Sequence, residues 1–143
     1  MHRNEASIEI AAPPEHVFPH IVSPEQRVLW VAGLASSEET ADGAYREVVD
    51  DHGLRLELAV ETVRSDPPGA LDARMTGRGL RASVTNRLEA TQVGTRLTVV
   101  VESEYGGLAR FVAPVVTRHA QGNLERSLSR LKALVEDGDA GGP

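Results

Sequence analysis

His119, Tyr105 and His20 are the residues of this 143-residue chain best suited to moving a proton. Neutral imidazole is the usual general base near neutral pH, and a tyrosine hydroxyl can serve as an acid or base beside it. Such work needs an orienting carboxylate or a nucleophile within reach. Neither stands close to His119 in sequence, so a structural or surface role is expected for both histidines. With no cysteine and no HExxH motif, no metal site is expected. There is no Walker loop, dinucleotide fingerprint or GxSxG elbow, and no cofactor is expected.

The totals narrow the partners. Net charge is −6 and the sequence pI is about 5.3. All basic residues except Lys132 are arginines, and they alternate with glutamates. Only two Phe, two Tyr and one Trp are available for stacking on bases, so nucleic acid is not an expected partner. The N-terminal "MHRNEASIEIAA" lacks the apolar core of a signal peptide, and no apolar run approaches the ~20 residues that cross a bilayer. A soluble cytoplasmic protein without integral membrane association is expected. A homodimer stays open.

Several elements must position these groups. "SIEIAA" (Ser7 to Ala12) alternates and predicts a first strand. "PPEHVFPHI" opens with the prolines of a helix start, and Pro19 limits that helix to one or two turns. "SPEQRVLWV" repeats the pattern, with Ser23 as N-cap and Pro24 at the first helical position. Turn residues then fall at Asp42-Gly43, Asp51-His52-Gly53, Pro67-Pro68-Gly69, Gly77-Arg78-Gly79 and Val93-Gly94. They divide the middle of the chain into six further strands. From Gly106 to about Glu136 the period is helical, and the tail 137–143 is expected to be disordered. One domain over 1–136 is expected, in which a curved antiparallel sheet wraps the long helix.

Parity fixes which side chains face the helix. With Val93-Gly94 as a two-residue turn, Ala90 faces Leu97, Leu88 faces Val99, Asn86 faces Val101, Val84 faces Ser103 and Ala82 faces Tyr105. The opposite face carries Arg81, Arg87, Glu89, Arg96, Glu102 and Glu104, as a solvated surface should. Asn86, Ser103 and Tyr105 are the polar residues on the apolar face. An unpartnered buried polar group costs roughly 1–3 kcal/mol. Asn86 and Ser103, diagonal neighbours in this register, are expected to satisfy one another, and contact with a ligand is the alternative. Small residues (Ala59, Ala73, Ala82 and Ala90) suggest a hollow interior. The alternative is a final helix that sits closer to the sheet and fills it.

Leu108, Phe111, Val112, Val115 and His119 share one helical stripe, continued by Leu124, Leu128, Leu131 and Val135. Pro114 interrupts it, at a cost of about 3 kcal/mol in a helix interior. Either the helix proper begins near Pro114, after a separate turn, or it bends there and leaves a gap that a lid could use. Gly122 is a second soft point. Trp30, at the end of the second helix, is expected to plug the core with its indole N–H on a carbonyl.

This order of one strand, two short helices, six strands and one long helix resembles the helix-grip fold of the START-like, or Bet v 1-like, superfamily. The likeness is to its bacterial polyketide cyclase/dehydrase and lipid-transport (SRPBCC) branch, and it runs from about Ser7 to Glu136. It is carried by "IEIAAPPEHVFPHIVSPEQRVLW", "PPGAL", "LEATQVGTRLTVVVE" and "LERSLSRLKALVE". The resemblance implies an α+β fold with a seven-stranded antiparallel sheet, and an internal cavity for a hydrophobic small molecule: a lipid, a polyketide-like compound or an aromatic metabolite. Trp30, Asn86, Ser103, Tyr105, Val112 and His119 are the expected lining, Trp30 by stacking at the cavity mouth. The alternative is a polyketide aromatase/cyclase with Tyr105 and His119 as acid/base groups. Against it, no dense Arg/Tyr/Ser group is legible on the inner face. A protein-interaction role, as in co-chaperone relatives, is a third reading. Whether any reaction is catalysed is not decided by these residues.

Overall fold

Each turn predicted from the sequence separates two strands. In a computed structural model that describes residues 1–51, 53–111 and 113–140, β1 (His2–Ile10) is followed by α1 (Pro14–Val22) and α2 (Pro24–Trp30). Then come β2 (Leu34–Ala41), β3 (Ala44–Asp51), β4 (Leu54–Asp66), β5 (Ala70–Gly77), β6 (Leu80–Ala90) and β7 (Thr95–Tyr105). A 3₁₀ turn (Gly107–Phe111) leads into α3 (Ala113–Ala140). The fold is α+β. The strands form one seven-stranded antiparallel sheet in the order β1-β7-β6-β5-β4-β3-β2, so the first strand pairs with the last. β1 starts earlier than expected, at His2, because the backbone before Ser7 completes its ladder on β7.

Pro13 stands extended before α1, and Pro14 occupies its first turn, where a missing N–H costs nothing. Val17, Phe18 and Ile21 turn into the core while Pro19 sits on the exposed side. Ser23 ends α1 and begins α2. Its carbonyl accepts from the Gln26 and Arg27 amides at 3.1 and 3.0 Å, but its side chain makes no cap bond.

The β6–β7 register differs from the expected one by two residues. Residues 91–94 form the connection, closed by the Thr91 amide on the Gly94 carbonyl at 2.9 Å and the Gly94 amide on Thr91 Oγ1 at 3.1 Å. A Cβ on Gly94 would come within 2.2 Å of the Ile10 carbonyl oxygen, so only glycine fits here. Ala90 therefore faces Thr95, Leu88 faces Leu97, Asn86 faces Val99, Val84 faces Val101 and Ala82 faces Ser103. A slip of two keeps every side chain on its own face. The apolar and charged faces are those expected, and Arg96 meets Glu9 on the outside at 2.9 Å. Ala59 and Ala90, expected inside, are exposed.

Pro114 lies in the first turn of α3, and the residues before it form the separate 3₁₀ turn. The costly clash never arises, and α3 runs unbroken through Gly122 and past Glu136 to Ala140, including part of the tail expected without structure. Leu108 and Phe111 depart from the predicted buried stripe. They are 82% and 69% exposed, while Leu128, Leu131 and Val135 are buried. α3 packs along β1 and against α1 and α2, and the curved sheet wraps it, with Leu88 of β6 and Leu97 and Val99 of β7 in the same cluster as its buried face. Its buried leucines join Ile10, Val17, Phe18, Ile21, Trp30 and Leu97 in the main core. Leu58, Val60 and Leu80 form a second cluster, with Tyr45, Val49, Ala73, Met75 and Tyr105 packed against it.

Candidate functional site

The inner face of β3, β4 and β5 borders two of the recesses of the molecule. Leu58, Val60 and Leu80 line its floor. At one end, the β4 and β5 ends and the segment Gly106–Ala109 border an apolar groove of about 830 Å³, lined by Leu56, Leu58, Leu80 and Leu108. That volume falls in the range of small-molecule pockets, roughly 300–1,000 Å³. Beside it, His2, Tyr105, Arg110, Ala113 and Pro114 line a second recess of about 590 Å³. Beneath α1 and α2 a separate, smaller recess holds about 50 Å³. That holds a water or two, so the interior is not the ready hollow suggested by its small residues. Aliphatic side chains such as Leu71, Leu88 and Val99 fill the space that aromatics were too few to plug.

The 50 Å³ chamber has a polar wall that sequence reasoning missed. β3 turns Tyr45, Glu47 and Val49 inward, opposite Val60, Leu58 and Leu56 of β4. Glu47 is 2% exposed. Arg27 reaches it from α2 through both oxygens, Nε to Oε2 at 2.8 Å and Nη2 to Oε1 at 3.0 Å. Ser37 Oγ on β2 donates to Oε2 at 2.8 Å. An unpaired carboxylate at this depth would cost several kcal/mol, so the bidentate pairing is what permits it. Tyr45 borders the same space, and its hydroxyl is held above the usual value, first by burial and then by Glu39 and Asp42. An Arg/Tyr/Ser group therefore borders the inner face, with its arginine supplied by α2 and not by a strand. Its weak signal was the pair Tyr45 and Glu47, two apart on a predicted strand.

The predicted lining residues do not form one site. Trp30 is buried and donates Nε1 to the His20 carbonyl at 2.9 Å, with the Arg27 guanidinium 5.8 Å from its ring centre. Asn86 donates Nδ2 to the Leu71 carbonyl at 3.0 Å rather than pairing with Ser103. Ser103 instead hydrogen-bonds Tyr105. The two-residue register shift separates Asn86 from Ser103 and gives each a different neighbour. Tyr105 is half-buried at the mouth, edge-on to His2 with ring centres 5.8 Å apart, and burial pushes its hydroxyl above the usual value. His119 is half-buried on α3 and lines none of these recesses. Val112 lies outside the described residues. His20 Nδ1 sits 3.0 Å from the His16 carbonyl. The spacing of His16 and His20 along α1 is one that metal ligands use. Even so, no group of three His, Cys, Asp or Glu able to hold a metal occurs among the described residues. No helix among them is long and apolar enough to cross a membrane.

Residues 1–136 match the model of a family described as polyketide cyclase / dehydrase and lipid transport. None of the curated proteins matches the chain in sequence. Among solved structures, a conserved protein from Geobacillus kaustophilus superposes with a TM-score of 0.80 at 17% identity, over 94% of this chain and 95% of that one. A protein from Thermus thermophilus gives 0.79 at 21% identity, over 99% and 100%. Ara h 8.0201, a Bet v 1-like protein, gives 0.64 at 19%, over 94% and 97%. At these identities the likeness is one of fold.

Proposed function

Because the chain belongs to the polyketide cyclase/dehydrase and lipid-transport family, we propose that it binds a hydrophobic small molecule between the sheet and the C-terminal helix. A lipid, a polyketide-like compound or an aromatic metabolite fits the surfaces available. The observation that carries this reading is the continuity of the apolar cluster. Leu58 and Leu80 border the wide groove, Val60, Met75 and Ala73 border the small chamber, and all five belong to one apolar cluster. Buried apolar area is the main source of affinity at such a surface, at roughly 25 cal/mol per Å². Native mass spectrometry of freshly purified protein, set against its denatured mass, tests it. A discrete extra mass lost on denaturation is expected. Failure of every apolar compound tried to add mass or raise the melting temperature overturns it.

A second reading, cyclisation of a poly-β-ketone chain, is favoured by Tyr105. Its half-buried hydroxyl stands at the mouth and carries its proton at neutral pH, so it can donate to a carbonyl oxygen placed there. Tyr105→Phe then abolishes turnover, whereas under the carrier reading it only weakens binding. His119 is the weaker half of this reading, since it lines none of the recesses around Tyr105.

A further inference from the structure

The small chamber beneath α1 and α2 is lined for a particular kind of polar group. Glu47 is spent on Arg27 and Ser37, and its two oxygens accept three hydrogen bonds. Arg27 has further donor capacity at Nη1, which makes no hydrogen bond among the described residues. The Tyr45 hydroxyl likewise takes no partner among them. Among the described residues, every side-chain nitrogen or oxygen fully cut off from solvent has its bond, so both of these groups remain reachable. Both line the chamber, together with Thr62. The remaining walls are apolar: Ile21, Val60, Leu71, Met75 and Val84.

The charge balance decides what such a chamber accepts. Arg27 and Glu47 neutralise one another. A carboxylate or phosphate entering here would bring a second negative charge next to a fully buried one, with no second cation lining the chamber. An ammonium would meet the Arg27 guanidinium with both Glu47 oxygens already occupied. A neutral oxygen meets neither penalty. It can accept from Arg27, and it can accept from or donate to Tyr45, whose hydroxyl keeps its proton because it is partly buried.

We propose that the Arg27–Glu47–Tyr45 chamber is the recognition site for the uncharged, oxygen-bearing end, a hydroxyl or a ketone, of an otherwise apolar molecule. This rests on the ligand-binding reading above. Only the oxygen enters the chamber, the apolar body stays on the neighbouring part of the cluster at Leu58 and Leu80 along the groove, and the oxygen sets which end enters first. Arg27 and Tyr45 are the groups that touch it. Glu47 is a positioning residue, which orients the guanidinium and cancels its charge.

Three probes with one skeleton separate these terms: naphthalene, 2-naphthol and 2-naphthoate, measured against the full chain by equilibrium dialysis. The naphthol is the less hydrophobic of the two neutral probes, so tighter binding must come from its oxygen. The expected result is that 2-naphthol binds about tenfold more tightly than naphthalene, the worth of a hydrogen bond to a charged donor, and that 2-naphthoate binds more weakly than naphthalene. Tyr45→Phe, which removes a single hydroxyl, should narrow the naphthol preference several-fold and leave naphthalene unchanged. The paired replacement Arg27→Met with Glu47→Leu, which leaves no lone buried charge, should abolish it. Equal binding of naphthol and naphthalene, or tightest binding of naphthoate, overturns this inference and leaves the ligand-binding reading standing. Binding of none of the three overturns this inference, and native mass spectrometry of the purified protein then decides the ligand-binding reading separately. If the paired variant does not fold, the three probes on the native chain and on Tyr45→Phe still decide the matter.

Discussion

Gly79 and Ala109 pack so closely that a Cβ on the glycine would lie 2.7 Å from the Cβ of the alanine, and 2.6 Å from the Gly106 carbonyl oxygen. The Gly106 amide donates to the Gly79 carbonyl at 2.8 Å, which fastens the lead-in of α3 to the β5–β6 hairpin. Gly79 also has a φ of +73°, a region that side chains with a Cβ disfavour. This contact forms one edge of the apolar groove, because Gly79, Gly106 and Ala109 all line it.

Gly79→Val should therefore release the lead-in while leaving the main core intact. The left-handed backbone and the clash together cost about 1–3 kcal/mol. Amide exchange read by NMR should show faster exchange at Gly106 and little change at Leu97 or Leu131. Unchanged protection at Gly106 would show that this glycine is not what fastens the lead-in.

At the far end of α3, the Glu136 carboxylate accepts from Lys132 Nζ at 2.6 Å and from the Ala11 amide at 2.8 Å. These bonds, Lys132 first and Ala11 second, hold its pKa below the ordinary 4.5. A depressed carboxylate contributes stability that is present above its unfolded pKa and lost as pH falls through the folded one. Glu136→Gln should thus be less stable than the parent at pH 7, by about 1 kcal/mol or less for so exposed a group. As pH falls below 4.5 the difference should shrink towards zero. Urea midpoints at pH 7 and pH 3 measure it. A gap that persists at pH 3 would point to lost packing instead of lost charge.

Leu131 and Phe111 lie on the same predicted stripe and should behave oppositely. Leu131 is 0% exposed in the main core, and Leu131→Ala should cost about 2–5 kcal/mol through lost burial and the cavity left behind. Phe111 is 69% exposed, and Phe111→Ser should change stability by no more than about 0.5 kcal/mol. Denaturant unfolding of the two variants tests the placement of the helix start at Ala113.

That contrast shows where sequence patterning carries and where it stops. Leu54, Leu56, Leu58 and Val60 alternate with Arg55, Glu57 and Glu61, so the inner face of β4 was legible residue by residue. The turns were legible because Gly, Pro and Asp mark them. The β6–β7 register was not, since a slip of two preserves the alternation and only the bonds among residues 91–94 decide the loop length. Leu108 and Phe111 fit the helical period, but periodicity cannot tell which side of Pro114 the helix begins on. The Arg27–Glu47 pair was hidden for a related reason. In β3 the inward set is Tyr45, Glu47 and Val49 and the outward set Arg46, Val48 and Asp50, so each face mixes apolar and charged residues. A buried charge becomes visible only when its partner arrives from another element.

Both tyrosines face regions that resist ionisation, and this can be read without knowing any ligand. Burial is the first cause in each, raising Tyr45 and Tyr105 above the ordinary 10.0. Glu39 and Asp42 add to the effect at Tyr45, whereas the hydrogen bond with Ser103 works against it at Tyr105. A raised folded pKa means that the associated stability is fully present below the unfolded value and is lost as pH rises through the folded one. Native protein followed by ultraviolet absorbance should accordingly show both phenols titrating above 10.0. Tyr45→Phe isolates Tyr105, and in that variant Ser103→Ala should raise the Tyr105 midpoint further by removing the opposing hydrogen bond. If the isolated Tyr105 titrates at the ordinary value, its hydroxyl is solvated at the mouth. The burial assigned to Tyr105 then fails, while the recognition assigned to Tyr45 is untouched.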